Sequence, residues 1–491
     1  MKFHGSLLYA GLAAFGAFAT DKLTPDAVEA DITEDKLQNV LWNFNKIARD
    51  NGGNRAFGLP GYNASLDFIL ERAVTRFGQH MDTYVQGFTH LFEQTREISL
   101  TGPEGEDVRV VTLLYNDPTP LPEGVTGELV DTPVDDVRGS ACFEDQWEGI
   151  DAEGKIVLIK RGACAISDKL KLAKNFGAVG VVLYHNVPGP DLTAATLSAE
   201  NVGLKAPVGL VTYEQGVAWK ERVAAGETLE VNLLVDAIFE ERESWNIISE
   251  TKEGDPNNVI MLGAHLDSVQ AGAGINDDGS GSAALLELMG SFKKYKGFKN
   301  KVRFAWWGAE EVGLVGSLYY GSQLSEKEAD AIRIYYNYDM IGSKEPQYAV
   351  YADTDVHELV GAPIIDYLSE NGKDAWYGGF GTSSDYVAFL ELGIPSSGIF
   401  TGAGAPWDVC YHLECDDLNN INWEALTLNT KAAGRVAAQF ANDLTGVPLR
   451  EKTSSNPRSK RGAARNLQKL ARAGLVAEKH ATCGDAHDRL V

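Results

Sequence analysis

The segment GAHLDSVQAGAGINDDGSGSAALLELM, residues 263–289, puts groups that can do chemistry directly after an apolar run. The run at 259–262 predicts a buried strand. An imidazole at His265 and carboxylates at Asp267 and Asp277 follow it in a glycine-rich stretch. Glycine lets the backbone turn sharply and approach a ligand closely. A segment that only built a core would not collect these groups, so it predicts a binding or catalytic site.

Three later segments supply more groups of the same kind. The sequence WWGAEEVGLVGS contains Glu310 and Glu311, YNYDMIG contains Asp339, and CYHLEC contains His412. In open α/β sheets, ligands gather at the carboxyl ends of the strands. Imidazole nitrogen and carboxylate oxygen are ligands that suit zinc in a catalytic site. Two metal ions about 3.5–4 Å apart need one shared carboxylate, and this set can supply it.

Each fragment alone has a simpler interpretation. A single histidine at a strand end is more often a hydrogen-bonded core residue, and the sequence YHLEC could be a surface loop. Two acids at a helix start are more often a favourable pair near the helix dipole. The sequence NDDGSG is more often a turn or a helix cap. The complete set, in this order and at strand ends, favours the metal centre.

The elements that must position these groups follow an α/β pattern. Apolar runs predict strands at 259–264, 302–307, 332–338, 349–351 and 394–400. Helical spacing predicts helices at 36–49, 66–77, 282–295, 358–370, 385–392 and 423–444, and one that runs through Tyr320. Strands that alternate with helices predict a mostly parallel sheet covered on both faces.

The pattern of apolar and polar residues changes between residues 117 and 235. The sequence GKIVLIKRGACAISDKLKLAKNFGAVGVVLYHN reads as strand, turn, amphipathic helix and strand. This stretch predicts an inserted domain with its own small core. It divides the main domain into an N-terminal part at 36–116 and a catalytic part at 236–446.

The motifs carry a family resemblance. Taken together, GAHLDS, GAGINDDGSG, WWGAEEVGLVGS, YNYDMIG and CYHLECDD resemble the zinc aminopeptidases of the M28 peptidase family. The resemblance spans about residues 36–446 and implies a three-layer α/β/α zinc-peptidase domain with a mostly parallel central sheet. The insert resembles a protease-associated (PA) domain, which members of this family often carry. We expect the insert to act as a lid or a stability module, and the alternative is that it screens substrates or helps the chain to fold.

The resemblance implies a ligand set for two zinc ions per chain. His265 and Asp339 would bind one ion, and Glu311 and His412 would bind the other. Asp277 would bridge the two ions. Peptides with a free N-terminus would be the substrates.

The resemblance also implies three supporting roles. Glu310 would be the general base, and Tyr411 would donate a hydrogen bond to the oxyanion of the tetrahedral intermediate. Asp267 would accept a hydrogen bond from His265 and fix its ring. Adjacent side chains cannot point the same way, so Glu310 can face the water while its neighbour binds metal.

The sequence departs from several relatives at one position. There an Arg-Ser pair precedes the aspartate of SSDY and the Arg helps to hold the substrate amine, whereas Ser383 stands here in the place of that Arg. The departure concerns amine recognition and not the metal ligands. The loops GGFGTSSDY and FTGAGAPWD are candidate pocket walls, and their residues indicate an apolar, leucine-like substrate side chain.

Two other interpretations stay open at this point. One is a carboxypeptidase-like or cyclase-like relative on the same fold. Cyclases use one zinc ion, and glutamate carboxypeptidases have a different spacing around the first ligands. The other is a non-catalytic, receptor-like protein that keeps the fold and loses the ligands. Metal-binding residues stand at all five ligand positions and the base is present, which argues against the second. Zinc content would separate them.

Composition excludes some partners. The chain has 491 residues and a formal charge of −25, so nucleic acid and anionic membranes are unlikely partners. Residues 450–491 hold ten Lys and Arg against four Asp and Glu, or +6, which leaves −31 before them. The basic end at 447–491 therefore predicts a separate tail, and its Lys460–Arg461 pair is a candidate processing site. We expect a monomer.

The N-terminus predicts export. Lys2, the apolar stretch LLYAGLAAFGAFA and small residues near Ala19 are typical of a signal peptide over 1–19. An acidic segment at 20–35 is a candidate propeptide. No later stretch is long and apolar enough to span a bilayer. We expect a secreted protein, with the vacuole lumen as the alternative, and Asn63 as a glycosylation site.

Five cysteines fit an oxidising compartment. Cys142 and Cys164 flank a short segment, and Cys410 and Cys415 lie close together around His412. The spacing predicts two disulfides, with Cys483 left over in the tail.

Overall fold

The structure is a computed structural model that describes residues 22–190, 192 and 195–452. The predicted signal peptide lies outside the described residues, as do Lys460, Arg461 and Cys483 in the tail. Within the described ranges, no helix is both long and apolar enough to cross a lipid bilayer.

The strands in the described part of the chain are β1 (Met81–Thr101), β2 (Val125–Asp131), β3 (Ile156–Lys160), β4 (Gly180–Tyr184), β5 (Val208–Val211), β6 (Glu230–Thr251), β7 (Asp255–His265), β8 (Asn300–Trp307), β9 (Ile332–Tyr338), β10 (Tyr348–Tyr351), β11 (Ala375–Gly378) and β12 (Ser396–Phe400). The α-helices are α1 (Pro25–Asp31), α2 (Glu34–Asp50), α3 (Pro60–Leu70), α4 (Ile166–Asn175), α5 (Tyr213–Ala224), α6 (Gly279–Phe292), α7 (Val315–Gln323), α8 (Glu326–Ala331), α9 (Asp355–Glu370), α10 (Tyr386–Glu391) and α11 (Trp423–Asn442).

The main domain is built on the strand order β11-β10-β12-β9-β7-β8. β7 pairs in parallel with β8 and β9, and β9 pairs in parallel with β12. Buried residues of α2, α6, α9 and α11 cover one face of this sheet, and those of α7 and α10 cover the other. The predicted three-layer α/β/α fold with a mostly parallel sheet is confirmed.

The insert continues the same sheet in the order β2-β3-β4-β5, with parallel neighbours. A long antiparallel ribbon of β1 and β6 joins the two parts, because β6 pairs with β2 near its start and with β8 near its end. Apolar residues of the insert, such as Val157 and Leu183, share a core with Ala309 and Val315 of the main domain. The insert is thus packed against the turn that carries Glu310.

Several elements differ from the sequence prediction, including β1 and α3. The strand β1 has no counterpart in the predicted elements, because its buried positions do not alternate regularly along the ribbon. The helix predicted at 66–77 begins earlier, at Pro60, and ends in a π-helical turn at Glu71–Arg76. Proline favours the first position of a helix, so the predicted loop before it is shorter. Asn63 lies exposed on α3.

The segment predicted as a candidate propeptide packs onto the main domain. In α1, Val28 is fully buried, and its side chain approaches α11 at Gly434 so closely that a Cβ added there would lie 2.7 Å from Val28 Cγ1. Arg435 of α11 makes an ion pair with Glu29 at 2.5 Å. Asp31 accepts a hydrogen bond from Lys294 at 2.6 Å. Helix α1 is therefore attached to α11 and α6, and its Val28 belongs to the core in this structure.

We expect Val28→Ala to lower the free energy of unfolding by about 1–3 kcal/mol, because it removes two buried methyl groups and leaves a cavity. Val74→Ala is the matched control, since Val74 is 55% exposed and its truncation should change stability by less than about 0.5 kcal/mol. Denaturant unfolding of both variants measures the difference. Equal midpoints would mean that α1 does not contribute to the core.

Candidate active site

The side chains singled out in the sequence converge at the carboxyl edge of the main sheet. His265 is the last residue of β7, and Asp277 lies in the loop that leads into α6. Glu310 and Glu311 follow β8, and Asp339 follows β9. His412 comes from the loop between β12 and α11. Parallel strands end at one edge of a sheet, so four separate segments meet there.

The carboxylate of Asp277 lies between the two imidazoles. Its Oδ1 is 3.1 Å from Nε2 of His265, and its Oδ2 is 3.2 Å from Nε2 of His412. Each oxygen thus faces a different histidine. This is the geometry that a bridging carboxylate needs.

The remaining carboxylates divide between the two histidines. His265 Nε2 lies 3.6 Å from Asp339 Oδ1 and 3.9 Å from Glu310 Oε2. His412 Nε2 lies 3.0 Å from Glu311 Oε2. The adjacent glutamates therefore face different imidazoles.

Two sets of three ligand atoms could each hold a metal ion. The atoms of His265, Glu310 and Asp339 all lie within 4.8 Å of one another, and so do those of His265, Asp277 and Glu311. These sets differ from the predicted division in two ways, because Glu310 joins the first and His265 replaces His412 in the second. The short contacts of His412 to Asp277 and Glu311 keep it at the same centre.

The electrostatics of the cluster call for a cation. Burial raises the pKa of Glu311 to about 7 and raises that of Glu310 well above its ordinary value. Burial also opposes ionisation of Asp277, but hydrogen bonds from His265 and His412 lower its pKa. The pKa of His412 rises to about 10 beside Glu311 and Asp277, although burial works against it. Buried carboxylates in excess are stable when they are paired or bind a metal.

A further observation supports zinc as the ion that these nitrogen and oxygen donors would bind. The Oε1 atom of Glu311 is buried and has no hydrogen-bond partner within the part of the chain that the structure describes. An unsatisfied buried carboxylate oxygen is costly unless a cation or a donor reaches it. Imidazoles and carboxylates are the nitrogen and oxygen ligands that catalytic zinc takes.

Asp267 contacts both His265 and the turn that carries the two glutamates. The carboxylate of Asp267 accepts hydrogen bonds from the backbone N–H groups of Glu310 at 3.1 Å and Glu311 at 3.3 Å. Its backbone carbonyl accepts from Nδ1 of His265 at 3.1 Å, whereas Oδ1 is 3.7 Å away. The Asp267 acceptor nearest the His265 ring is therefore its carbonyl oxygen, and its carboxylate holds the turn that carries the glutamates.

Ser384 is a site residue that the sequence prediction missed. Its Oγ donates a hydrogen bond to Asp339 Oδ2 at 2.6 Å and accepts one from Asn337 Nδ2 at 2.8 Å. The neighbouring Ser383 Oγ lies 2.9 Å from the hydroxyl of Tyr386. Both serines belong to the SSDY motif, but the family resemblance singles out Ser383 and not Ser384.

A cavity opens over the cluster, and Tyr411 forms part of its wall. The Tyr411 ring stacks on the His412 ring at a centroid distance of 3.8 Å. The cavity is lined by Asp277, Glu310, Glu311, Asp339, Met340, Tyr351, Ser383, Ser384, Phe400, Tyr411 and His412. Both loops predicted as pocket walls contribute, the first through the serines and the second through Phe400.

Both predicted disulfides are present. Cys142 pairs with Cys164, and Cys410 pairs with Cys415. The second bond closes a loop of short sequence separation that contains Tyr411 and His412. The bond therefore restrains the backbone that carries one of the two imidazoles.

Comparison with known proteins agrees with this geometry. Residues 246–437 match the model of Peptidase family M28, and residues 125–219 match the PA domain. The chain is 33% identical over 456 residues to Aminopeptidase Y of Saccharomyces cerevisiae, covering 88% of this chain and 83% of the relative. It is 35% identical over 480 residues to probable leucine aminopeptidase 2 of Aspergillus oryzae, covering 92% and 93%.

Solved structures give the same result. The chain is similar to an aminopeptidase from Aneurinibacillus sp. strain AM-1, with a TM-score of 0.72, 26% identity and coverage of 88% of this chain and 98% of that one. The fold is also shared with a zinc aminopeptidase from Bacillus subtilis at a TM-score of 0.65, 24% identity and coverage of 88% and 99%.

By these matches over most of its length, the chain belongs to peptidase family M28 and carries a PA domain. Within that family it is a metallo-aminopeptidase, a hydrolase of peptide bonds. The predicted enzyme class is confirmed, and the non-catalytic interpretation is set aside.

We expect the double substitution of Cys410 and Cys415 by Ser to weaken zinc binding more than it lowers the unfolding midpoint. So short a closed loop constrains the unfolded chain only modestly, but it orders His412. Zinc retained after dialysis and the thermal midpoint give the two readouts. The matched control replaces Cys142 and Cys164 by Ser and should keep its zinc. Equal zinc loss in both variants would contradict a local role for the Cys410–Cys415 bond.

Proposed function

We propose that this protein is a secretory-pathway aminopeptidase that uses two zinc ions to remove apolar, leucine-like residues from the N-termini of peptides. The single observation that carries the two-metal proposal is the position of Asp277. Each of its carboxylate oxygens lies within 3.2 Å of a different imidazole nitrogen. One carboxylate shared by two histidine-containing ligand groups is what a two-metal hydrolase requires.

In this proposal, His265 and Asp339 hold one zinc ion, and Glu311 and His412 hold the other. Asp277 serves both positions. Zinc bound there supplies Lewis acidity, which polarises a peptide carbonyl and makes water a better nucleophile at neutral pH. The alternative in which Glu310 is a ligand of the first ion is kept as an outcome of the test below, because its Oε2 lies 3.9 Å from His265 Nε2.

Glu310 is the proposed general base. Its backbone N–H is anchored on Asp267, and its side chain lines the cavity. The carboxylate takes a proton from the attacking water and passes it to the leaving amine. Glu311 lies closer to an imidazole, at 3.0 Å from His412, which favours it as the ligand of the pair.

Tyr411 is proposed to stabilise the developing charge on the substrate. Its ring is held in place by stacking on His412, and it lines the same cavity as Glu310. A phenolic O–H that is aimed at the carbonyl oxygen would donate a hydrogen bond that strengthens in the transition state.

The lining of the cavity supports the proposed substrate. Met340, Tyr351 and Phe400 offer an apolar wall for the first side chain of the peptide. The carboxylates of Glu310 and Asp339 face the same space and can accept charge-assisted hydrogen bonds from a free α-amine. Ser383 adds no charge to this wall.

The proposed compartment is oxidising. Two disulfides in the described residues favour the secretory route over the cytosol, and the predicted signal peptide is consistent with it. Secretion is proposed, with the vacuole lumen as the alternative. Glycosylation at Asn63 and a monomeric state remain predictions.

We expect Glu310→Gln to lower the turnover rate by roughly 10²–10⁴-fold with zinc retained, because an amide cannot accept the proton of the water. Glu311→Gln should instead lose zinc on dialysis and regain part of its activity in excess zinc, because a neutral amide is a poorer ligand. Zinc per chain and turnover rate are measured for both.

The two variants are each other's matched control, since they differ only in position. If Glu310→Gln lost a metal ion while Glu311→Gln kept both, the two roles would be exchanged. Fewer than two zinc ions in the unaltered enzyme would end the two-metal proposal.

We expect leucyl-chromophore substrates to be cleaved faster than glutamyl or lysyl ones, because Met340, Tyr351 and Phe400 offer the first side chain an apolar wall. N-acetyl-leucyl substrate should be almost inert, since acetylation removes the charged amine. Specificity constants for the four substrates are compared. Equal rates for acetylated and free leucyl substrates would overturn the exopeptidase assignment.

A further inference from the structure

Asn276 connects three of the loops that carry the proposed metal ligands. It immediately precedes Asp277, and its Nδ2 donates to Asp408 Oδ2 at 2.6 Å in the loop that carries His412. Nδ2 also donates to Ser343 Oγ at 3.1 Å. Its Oδ1 accepts from the backbone N–H of Gly342 at 3.1 Å in the loop that follows Asp339.

Asp416 makes a second connection between the same loops. Its Oδ1 accepts from the backbone N–H of Asn276 at 2.9 Å, and its Oδ2 accepts from the backbone N–H of Asp277 at 3.1 Å. Asp416 follows Cys415, which closes the disulfide loop around His412. A carboxylate in the loop that carries His412 thus accepts hydrogen bonds from the backbone of the loop that carries Asp277, and one of the two donors is Asp277 itself.

Asn420 links the carboxylates of Asp408 and Asp416. Its Nδ2 donates to Asp408 Oδ1 at 2.8 Å and to Asp416 Oδ1 at 3.0 Å. Asn276, Asp408, Asp416 and Asn420 are all buried, with 5% exposure or less. We call these four residues the amide–carboxylate cluster.

The composition of the cluster argues against a general stabilising role. Buried carboxylates and amides are costly to desolvate, and an apolar core would serve stability better. Here the bonds of Asn276 and Asp416 join two ligand loops, and Asn420 ties Asp408 to Asp416 within one of these loops. Such hydrogen bonds fix relative positions, and outer partners of metal ligands act in this way.

We propose that the amide–carboxylate cluster is a positioning framework that sets the distance between the two metal positions. The inference rests on the proposed two-zinc function. The four residues of the amide–carboxylate cluster touch neither substrate nor metal in this proposal, so they are positioning residues. Losing one contact should loosen Asp277 relative to His412 and weaken zinc binding more than it changes global stability.

The test exchanges the two partners of one hydrogen bond. Asn276→Asp alone places two carboxylates against each other, and Asp408→Asn alone places two amides there. The double variant restores one donor and one acceptor in the reverse order. We expect each single variant to lose about 10–100-fold in zinc affinity, measured by competition with a chelator, and the double variant to recover most of that loss.

Two further variants separate this role from folding. Asn116→Asp is the matched control, because Asn116 is a fully buried asparagine directly before the insert, and its side chain bonds to Val208 and Thr112 and to no proposed ligand loop in the described residues. It should lower the unfolding midpoint and leave zinc affinity unchanged. Ser343→Ala removes a single acceptor of Asn276 and gives a milder probe if the single exchanges do not fold.

The outcomes are distinct. Single variants and Ser343→Ala that bind zinc as tightly as the unaltered enzyme would overturn the framework. A double variant that stays as impaired as the singles would overturn the pairing of Asn276 with Asp408. If the unaltered enzyme bound no zinc, the proposed function would fail instead.

Discussion

The structure depends on one constraint: several buried carboxylates meet the buried His265 and the partly exposed His412 at the end of a parallel sheet, and Asp277 lies between the two imidazoles. Such a cluster is unfavourable unless its charges are matched, because desolvating an ion is expensive. Hydrogen bonds to His265 and His412 compensate Asp277, while burial pushes the pKa of Glu310 and Glu311 upward. The excess negative charge is what makes the site a receptor for cations.

This cluster is held in place by groups that hydrogen-bond to the backbone around it, rather than by the proposed metal ligands themselves. Arg55 is fully buried, and its guanidinium donates to the carbonyls of Leu266, Ala273 and Gly274, which surround the loop between His265 and Asp277. A planar, always charged group with five donors suits this role. It also brings a positive charge near the acids without occupying the cavity.

The inserted domain contributes through packing rather than through chemistry. The ribbon of β1 and β6 makes one continuous sheet out of both domains, and their apolar residues merge beside the turn that begins at Ala309. Gln270, in the loop after His265, donates to the backbone carbonyl of Glu93 in β1 at 2.6 Å. The ribbon is therefore bonded directly to the loop between His265 and Asp277.

The sequence by itself determined the layer architecture, the ligand types and both disulfides, because these follow from local patterns: apolar periodicity, motifs at strand ends and short cysteine spacing. It did not determine β1, whose ribbon lacks regular alternation, or the start of α3 at Pro60. Only the tertiary structure decided which atom of Asp267 holds His265, and that Ser384 holds Asp339. Those contacts join loops that are distant in sequence, and no local pattern encodes a distance between loops.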